Sequence, residues 1–561
     1  MKHFLILTAL MLSLGYGGSV ADNLYSAGVR ENGQYRVWIY LTDKPDQTPV
    51  PLSRKTLERR AKTSLGLSRW EDRPVSKHYR EEIEKLGVEI IHESRWLNAL
   101  SAWVSETDVA YLAVLPFVKK IKPVLRYSRP AVDPVTVTEP TGSRADTSWY
   151  GFSWDQIAQI QVNTAHDSGY AGQGVRILVM DTGFWLEHQA FNHLNLVAQW
   201  DVINDDSVCA NETSAETAFG QDSHGTMVLS TMAGYWPDTL IGPAYDAEFL
   251  LAKTEDVSQE IQLEEDNYVA GLEWGETRGA DVVSTSLGYL DWYTYCDLDG
   301  ATAVTTIAID IAASLGVTCV TAMGNEGYYP PPSDPCNDPI TYYMIAPADA
   351  DSVISVGAVN RYGTLAGFSS HGPTYDGRIK PEVCARGVNT YCVLPHSNGF
   401  TDANGTSLAT PLVGGAAAVI LSAHPEWSPM EVRSALMATA TRATDPDNDY
   451  GYGIVQVWDA IQYGMTQDTD PGTTLPRQFA IRKAYPNPFN ASIIFEISSL
   501  DGADIALNIY SVNGALVQTI YQGSGGQERI EWVASALPSG IYLAELTWPG
   551  GAEYRKITLL K

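Results

Sequence analysis

A serine lies among small residues in Gly405-Thr406-Ser407-Leu408-Ala409-Thr410-Pro411, just before an apolar, alanine-rich run from Leu412 to Leu421. A serine hydroxyl becomes a nucleophile only when a base takes its proton. The run after it reads as a helix, and a helix N-terminus offers partial positive charge and free N–H groups to a developing oxyanion. A base and an orienting acid are available upstream. Val175 to Met180 reads as a buried parallel strand ending in Asp181-Thr182-Gly183. That puts a carboxylate at a strand's carboxyl end, where open α/β sheets build their sites. Ser223-His224-Gly225-Thr226 opens a helical pattern from Met227 to Ala233. Val317 to Ala322 reads as a second buried strand and runs into Met323-Gly324-Asn325-Glu326-Gly327. An asparagine amide at such a strand end can donate to an oxyanion.

Each segment alone has an ordinary explanation. Asp181-Thr182-Gly183 can be a turn, His224 a polar residue at a helix start, Ser407 an N-cap, and Asn325 a left-handed turn residue. Their joint order and spacing are the signal. The order Asp181, His224, Ser407 is that of the subtilisins, and the residues resemble the subtilisin-like serine proteases (subtilases). The resemblance runs roughly from Ser148 to Gln462. It takes in Ser284-Thr285-Ser286-Leu287-Gly288, Pro347-Ala348, Ser355-Val356-Gly357-Ala358-Val359 and Phe368-Ser369-Ser370-His371-Gly372-Pro373.

The resemblance implies an α/β fold with a subtilisin-like parallel sheet flanked by helices. It implies a Ser407–His224–Asp181 triad that hydrolyses protein or peptide substrates through an acyl-enzyme, with Asn325 on the oxyanion. Ser286, Leu287, Gly288, Met323 and Gly324 become the substrate-binding residues. No cofactor is required, though many subtilases bind calcium, and the acidic insertion Asp201 to Asp222 is where it would bind. That insertion lacks an EF-hand pattern and reads as a solvated loop, so no metal ligand is assigned. Three departures from the family stand out. Leu408 replaces a common Met. Met227 replaces a common second His, with consequences for packing. Met323 replaces a small residue and is expected to narrow one wall of the primary specificity pocket.

Length and composition set the frame. The 561 residues suggest about three domains. Phe4 to Leu14 followed by Ser19-Val20-Ala21 reads as a secretory signal peptide, residues 1–21. That run is too short to span a bilayer, and no membrane span is expected in the rest of the chain. Residues 1–150 carry a net charge of +4, residues 151–465 carry −31 and residues 466–561 carry −2. A basic N-terminal segment and an acidic protease segment are complementary, and the acidic balance excludes nucleic acid as a partner. Six cysteines, Cys209, Cys296, Cys319, Cys336, Cys384 and Cys392, fall in the protease segment. Their pairing does not follow from sequence. Cys319 lies in an apolar strand and reads as a buried thiol.

Residues 22–147 read as an α+β unit and a linker. Strands are expected over Tyr35 to Asp43, Val88 to Ile91, Ala99 to Val104 and Val118 to Val124. Helices are expected over Leu52 to Ala61 with Ser53 as cap, Tyr79 to Leu86, and Thr107 to Leu115. Ahead of a subtilase, such a unit resembles the inhibitory propeptide, and Arg95-Trp96-Leu97-Asn98-Ala99 fits a form seen in exported bacterial subtilases. Ser128 to Thr147 reads as the linker where processing occurs. The peptidase domain covers 148–465 and a second linker 466–478. Residues 479–561 alternate short strands and turns, as a small β-sandwich does. Tyr485-Pro486-Asn487-Pro488-Phe489-Asn490, Leu537-Pro538-Ser539-Gly540-Ile541-Tyr542 and Arg555 to Lys561 resemble the type A sorting domain of type IX secretion. That resemblance implies an outer-membrane secretion machinery as partner and a secreted or cell-surface destination. The competing expectation is a catalytically weak secreted binding or scaffold protein on a subtilase fold.

Overall fold

The computed structural model describes residues 33–46, 48–62, 69–124, 126–127, 149–257, 263–289, 293–338 and 340–467, and the strands and short connections between 480 and 559. The signal peptide, the linker at 128–147 and residues 468–479 lie outside the described residues, as do Pro486 to Pro488, Asn490 and the last two residues. The chain forms two compact units, residues 1–465 and 466–561.

The first unit begins with β1 (Tyr35–Leu41), α1 (Arg54–Ala61), α2 (Lys77–Glu84), β2 (Glu89–Ser94), β3 (Ala99–Val104), α3 (Glu106–Leu112), β4 (Val118–Pro123) and the two-residue β5 (Arg126–Tyr127). β1 to β4 form an antiparallel sheet in the order β2-β3-β1-β4. Side chains alternate across β1. Tyr35, Val37, Ile39 and Leu41 enter a local core with Ile83, Val109 and Leu112, while Trp38 faces the other way. Ser53 caps α1 as expected, accepting from the Thr56 N–H. α2 starts two residues earlier than its apolar pattern indicates, because Ser76 caps it and its first turn is polar. α3 is capped by Ser105, with Asp108 returning the bond, so it starts one residue before the expected Thr107 and ends at Leu112, three residues before the expected Leu115.

The peptidase part is built on β6 (Arg176–Asp181), β7 (Asn195–Asp201), β8 (Glu248–Lys253), β10 (Val282–Thr285), β11 (Thr318–Ala322), β12 (Val353–Val359) and β13 (Val383–Arg386). They pair in parallel in the order β13-β12-β11-β10-β6-β8-β7. Both faces are buried except at the edge strand β7, as a parallel sheet requires. Ile177, Val179, Phe249 and Leu251 enter one apolar cluster, and Leu178, Met180, Leu250 and Ala252 the other. Helices α4 (Ser223–Ala233) and α7 (Thr406–Ala423) pack on the first face; α5 (Glu265–Thr277) and α6 (Val304–Ser314) pack on the second. α7 is long and apolar enough to cross a membrane, contrary to the expectation that no later segment is, but 89% of it is buried inside the protein as a core helix. It also starts at Thr406, so Ser407 lies in its first turn and not on a preceding turn. The last helix runs Val457–Gln467, which moves the start of the second linker past Thr466.

The N-terminal sheet packs on α5. Trp38, Trp96, Ala99 and Val124 share an apolar cluster with Tyr268, Val269 and Leu272 of that helix. Around this contact the charges meet. Arg36 Nε donates to Asp266 Oδ2 at 2.9 Å. Arg60 Nε donates to Glu276 Oε1 at 3.0 Å, Arg95 Nη2 to Glu276 Oε2 at 3.2 Å, and Arg59 also donates to Glu276. Glu273 accepts from the Ser94 hydroxyl at 2.6 Å and the Trp96 N–H at 3.2 Å. All of these side chains are buried. The opposite charges of the two segments are therefore in direct contact.

Among its described residues the second unit holds seven strands in two antiparallel sheets. Ala480–Tyr485, Ser492–Ser498 and Gln527–Val533 form one; Leu516–Ser524, Asp504–Ser511, Gly540–Trp548 and Gly551–Leu559 form the other. One apolar core, with Phe489, Phe495, Leu507, Ile509, Trp532 and Leu546, lies between them. This is the expected small β-sandwich.

Candidate active site

Asp181 is the last residue of β6 and has no exposed surface. Its Oδ1 accepts from the Thr182 N–H at 2.8 Å and hydroxyl at 3.2 Å, and it lies 2.7 Å from His224 Nδ1. A carboxylate only accepts, so Nδ1 carries the hydrogen and Nε2 is left with a lone pair. Nε2 is buried without a hydrogen-bond partner among the described residues. The close approach of α4 depends on Gly225. A Cβ there would stand 2.2 Å from the Gly183 carbonyl oxygen and 3.0 Å from Asp181 Cβ.

Ser407 is the second residue of α7 and 7% exposed. At that position its N–H has no acceptor within the helix. Its carbonyl is treated unusually. The residue four places on is Pro411, which has no N–H to donate. The Ser286 hydroxyl supplies the missing bond at 2.8 Å. Ser286 follows the end of β10, so this contact fastens the serine turn to the sheet.

Asn325 lies three residues beyond β11. Its Oδ1 accepts from the Thr406 N–H at 3.0 Å and hydroxyl at 3.1 Å. Because a backbone N–H can only donate, these bonds fix which end of the amide is oxygen and turn Nδ2 outward. The Thr406 hydroxyl also accepts from the Gly324 N–H at 3.3 Å. Thr406 thus joins the β11 loop to the serine turn. Sequence reasoning assigned it no role, because its partners lie more than 80 residues away.

Two expectations change. No hydrogen bond joins Ser407 Oγ to His224 Nε2 in this structure; such bonds are often long without substrate and tighten in the complex. Met323 is fully buried in the cluster containing Tyr289 and Met344, because its side chain at the end of a buried strand turns to the α6 face. It lies behind the expected pocket wall. Leu287 is buried, Gly288 is half-buried and Gly324 is buried, and neither glycine leaves room for a Cβ beside Ile345. Leu408 and Met227 pack together with Cys392 and Ala403.

The acidic insertion is more ordered than a solvated loop. It contains a helix, Ser214–Phe219, and Glu216, Gln221 and Asp222 are buried. Asp201, Asp206 and Glu212 each bring a carboxylate oxygen within 4.8 Å of the other two. Asp201 is already satisfied by the N–H groups of Ile203 and Asn204 and by Lys253 at 2.8 Å. Cys296 and Cys336 form a disulfide between the segments that follow Gly288 and Asn325. The other four cysteines are buried thiols, and burial raises their pKa values, that of Cys209 to about 12.

At the end of the N-terminal unit, Arg126 and Tyr127 pair antiparallel with Glu264 and Leu263 of β9 (Leu263–Glu264). An extended segment is thus added as a strand to the peptidase part.

A buried Asp–His pair, a serine in a helix's first turn and a held asparagine, all at one end of a parallel sheet, define a class: serine endopeptidases on an α/β scaffold. Family comparisons agree. The subtilase family matches residues 172–453, the peptidase S8 propeptide domain of Bacteroidota matches 36–135, and the secretion system C-terminal sorting domain matches 483–559. Subtilisin E of Bacillus subtilis is 31% identical over 386 residues, which cover 68% of this chain and 86% of that protein. Subtilisin DY of Bacillus licheniformis is 34% identical over 307 residues, 54% of this chain and 97% of that protein. The alkaline protease of Alkalihalobacillus alcalophilus is 29% identical over 375 residues, 67% and 82%. The chain belongs to the subtilase family. It is a secreted serine endopeptidase made as a zymogen, with its own propeptide as partner and a C-terminal domain for export. A scaffold without catalysis is not favoured.

Proposed function

We propose that Ser407 Oγ attacks the peptide carbonyl, that His224 Nε2 takes its proton and returns it to the leaving amine, and that Asp181 holds the imidazole and stabilises its cation. The Asn325 amide and the Ser407 N–H bind the oxyanion, and extended substrate lies along Ser286-Leu287-Gly288. The single observation that carries this reading is the held geometry of two groups. His224 Nδ1 is committed to Asp181, and the Asn325 oxygen is committed to Thr406. The reactive Nε2 and Nδ2 atoms are therefore the ones left over. The reaction needs no cofactor, and calcium has a structural role where it binds. Residues 22–147 are the inhibitory part with its linker, 148–465 the peptidase, and 479–561 the address read by outer-membrane secretion machinery, which delivers the enzyme outside the cell.

The test is labelling of processed enzyme with a fluorophosphonate alongside casein hydrolysis. Ser407→Ala abolishes both, and His224→Ala reduces both by orders of magnitude. Asn325→Ala lowers kcat on the order of 10²–10³-fold with little change in KM. Wild-type hydrolysis by Ser407→Ala protein overturns the assignment.

A further inference from the structure

The reading above places the carbonyl of the scissile bond on Asn325 and Ser407. The residue that supplies this carbonyl then projects its side chain into the gap between the ends of β10 and β11. The walls of that gap are Ser286-Leu287-Gly288 and Met323-Gly324-Asn325. Two of the wall residues are glycines, and one side chain reaches both. A Cβ built on Gly288 would stand 2.1 Å from Ile345 Cδ1 and 2.4 Å from its Cγ1; one built on Gly324 would stand 3.0 Å from Ile345 Cγ2. Ile345 therefore lies against both bare backbones and fills the space that the glycines open.

The segment that carries it is pinned across the two strand ends. The Ile345 N–H donates to the Met323 carbonyl at 3.2 Å, and Tyr289 and Ala346 exchange backbone bonds at 2.8 and 3.3 Å. Met323, Met344 and Ala346 are fully buried around it, whereas Ile345 keeps part of its surface. The flanks are braced as well. Tyr295 stacks on Tyr343 with centroids 3.9 Å apart, and the Cys296–Cys336 disulfide joins the two loops. A bulky group entering the gap cannot push this segment down without disturbing packed core.

We propose that Ile345 is the floor of the primary specificity pocket and that it sets this enzyme's preference. The pocket accepts small or short apolar side chains, of alanine to valine size, on the residue before the cleaved bond. It rejects aromatic side chains by volume and charged ones because a branched hydrocarbon offers no counter-charge. This inference rests on the proposed roles of Ser407 and Asn325.

The experiment uses processed enzyme purified from the full chain, wild type and the graded variants Ile345→Val, Ile345→Ala and Ile345→Gly. Peptide p-nitroanilides with Ala, Val, Phe or Lys before the scissile bond give kcat/KM, and fluorophosphonate labelling counts active sites. The wild type should favour Ala over Phe by about tenfold or more, given that one methylene in a pocket is worth roughly 10–200-fold. The Phe-to-Ala ratio should rise stepwise through Val, Ala and Gly, by about 10–100-fold at the end of the series. Ile345→Val and Ile345→Ala keep the test readable if the glycine variant folds poorly. A wild type that prefers Phe, or a ratio that stays flat while labelling is intact, overturns the proposal and leaves the triad standing. No labelling in any form, wild type included, overturns the triad and the proposal with it.

Discussion

The two domains that flank the protease solve opposite problems. The N-terminal sheet gives part of its apolar surface away. Trp38, Trp96, Ala99 and Val124 join a core whose remaining buried members belong to the peptidase part, and Arg36, Arg59, Arg60 and Arg95 are buried against carboxylates of α5. The described apolar core of the C-terminal sandwich is made of residues of that unit itself. The first arrangement makes binding strong while leaving a costly surface on both partners when they part. The second lets a domain fold and be removed as a unit. An inhibitor and an export address need those two behaviours in that order.

The sharpest way to break the contrast is Glu276→Ala. Breaking a buried ion pair by removing one partner costs about 3–5 kcal/mol, and here three guanidinium groups lose a partner at once. Added in trans to processed enzyme, residues 22–147 should inhibit the variant on the order of 10²–10³-fold more weakly than wild type. An unchanged inhibition constant would mean that the apolar contacts alone hold the inhibitor. Trp532→Ala provides the counterpart. It should destabilise the sandwich by about 3 kcal/mol in thermal unfolding, with no change in kcat/KM. A drop in hydrolysis would show that the sandwich is not independent.

A smaller effect comes from pH. Burial pushes the Glu273 carboxyl above its ordinary value of 4.5, with Arg95 opposing. Burial also acts on Asp266, but Arg36 and His92 outweigh it and hold that carboxyl below its ordinary 3.8. When the inhibitor leaves, both groups return toward water. The Asp266 contribution is present above 3.8 and is lost only as pH falls through its lowered value. The Glu273 contribution is present below 4.5 and is lost as pH rises through its raised value. Above 4.5 only the second changes, so inhibition should weaken as pH rises, and Glu273→Gln should flatten the profile. The smallest effect belongs to Lys55, which meets Asp281 at 3.1 Å near the surface. Lys55→Ala should weaken inhibition by about fivefold or less, and added salt should erase the difference.

Much of this molecule was written in short stretches of sequence. The alternating and continuous apolar runs marked β1, β3, β6 and β11 within a residue or two, because burial of one or both sheet faces leaves a period in the chain. Ser53 was legible as a cap because capping is a three-residue interaction. The order Asp181, His224, Ser407 and the glycines beside them fixed the family, since the reaction allows few residue types at those places.

Tertiary structure decided what depends on distant partners. Nothing near Thr406 signals that it holds Asn325, and nothing near Ser286 signals that it replaces the hydrogen bond Pro411 withholds from Ser407. The pairing of Cys296 with Cys336, with four other cysteines to choose from, follows from where two loops end. Met323 and Ile345 exchanged places in the same way. Sequence proximity to Gly324 pointed to Met323, but the strand turns that side chain into the core, and a residue 22 positions on reaches the gap instead. A local pattern fixes the side of an element on which a residue lies. Which surface meets that side is set by the packing of the whole chain.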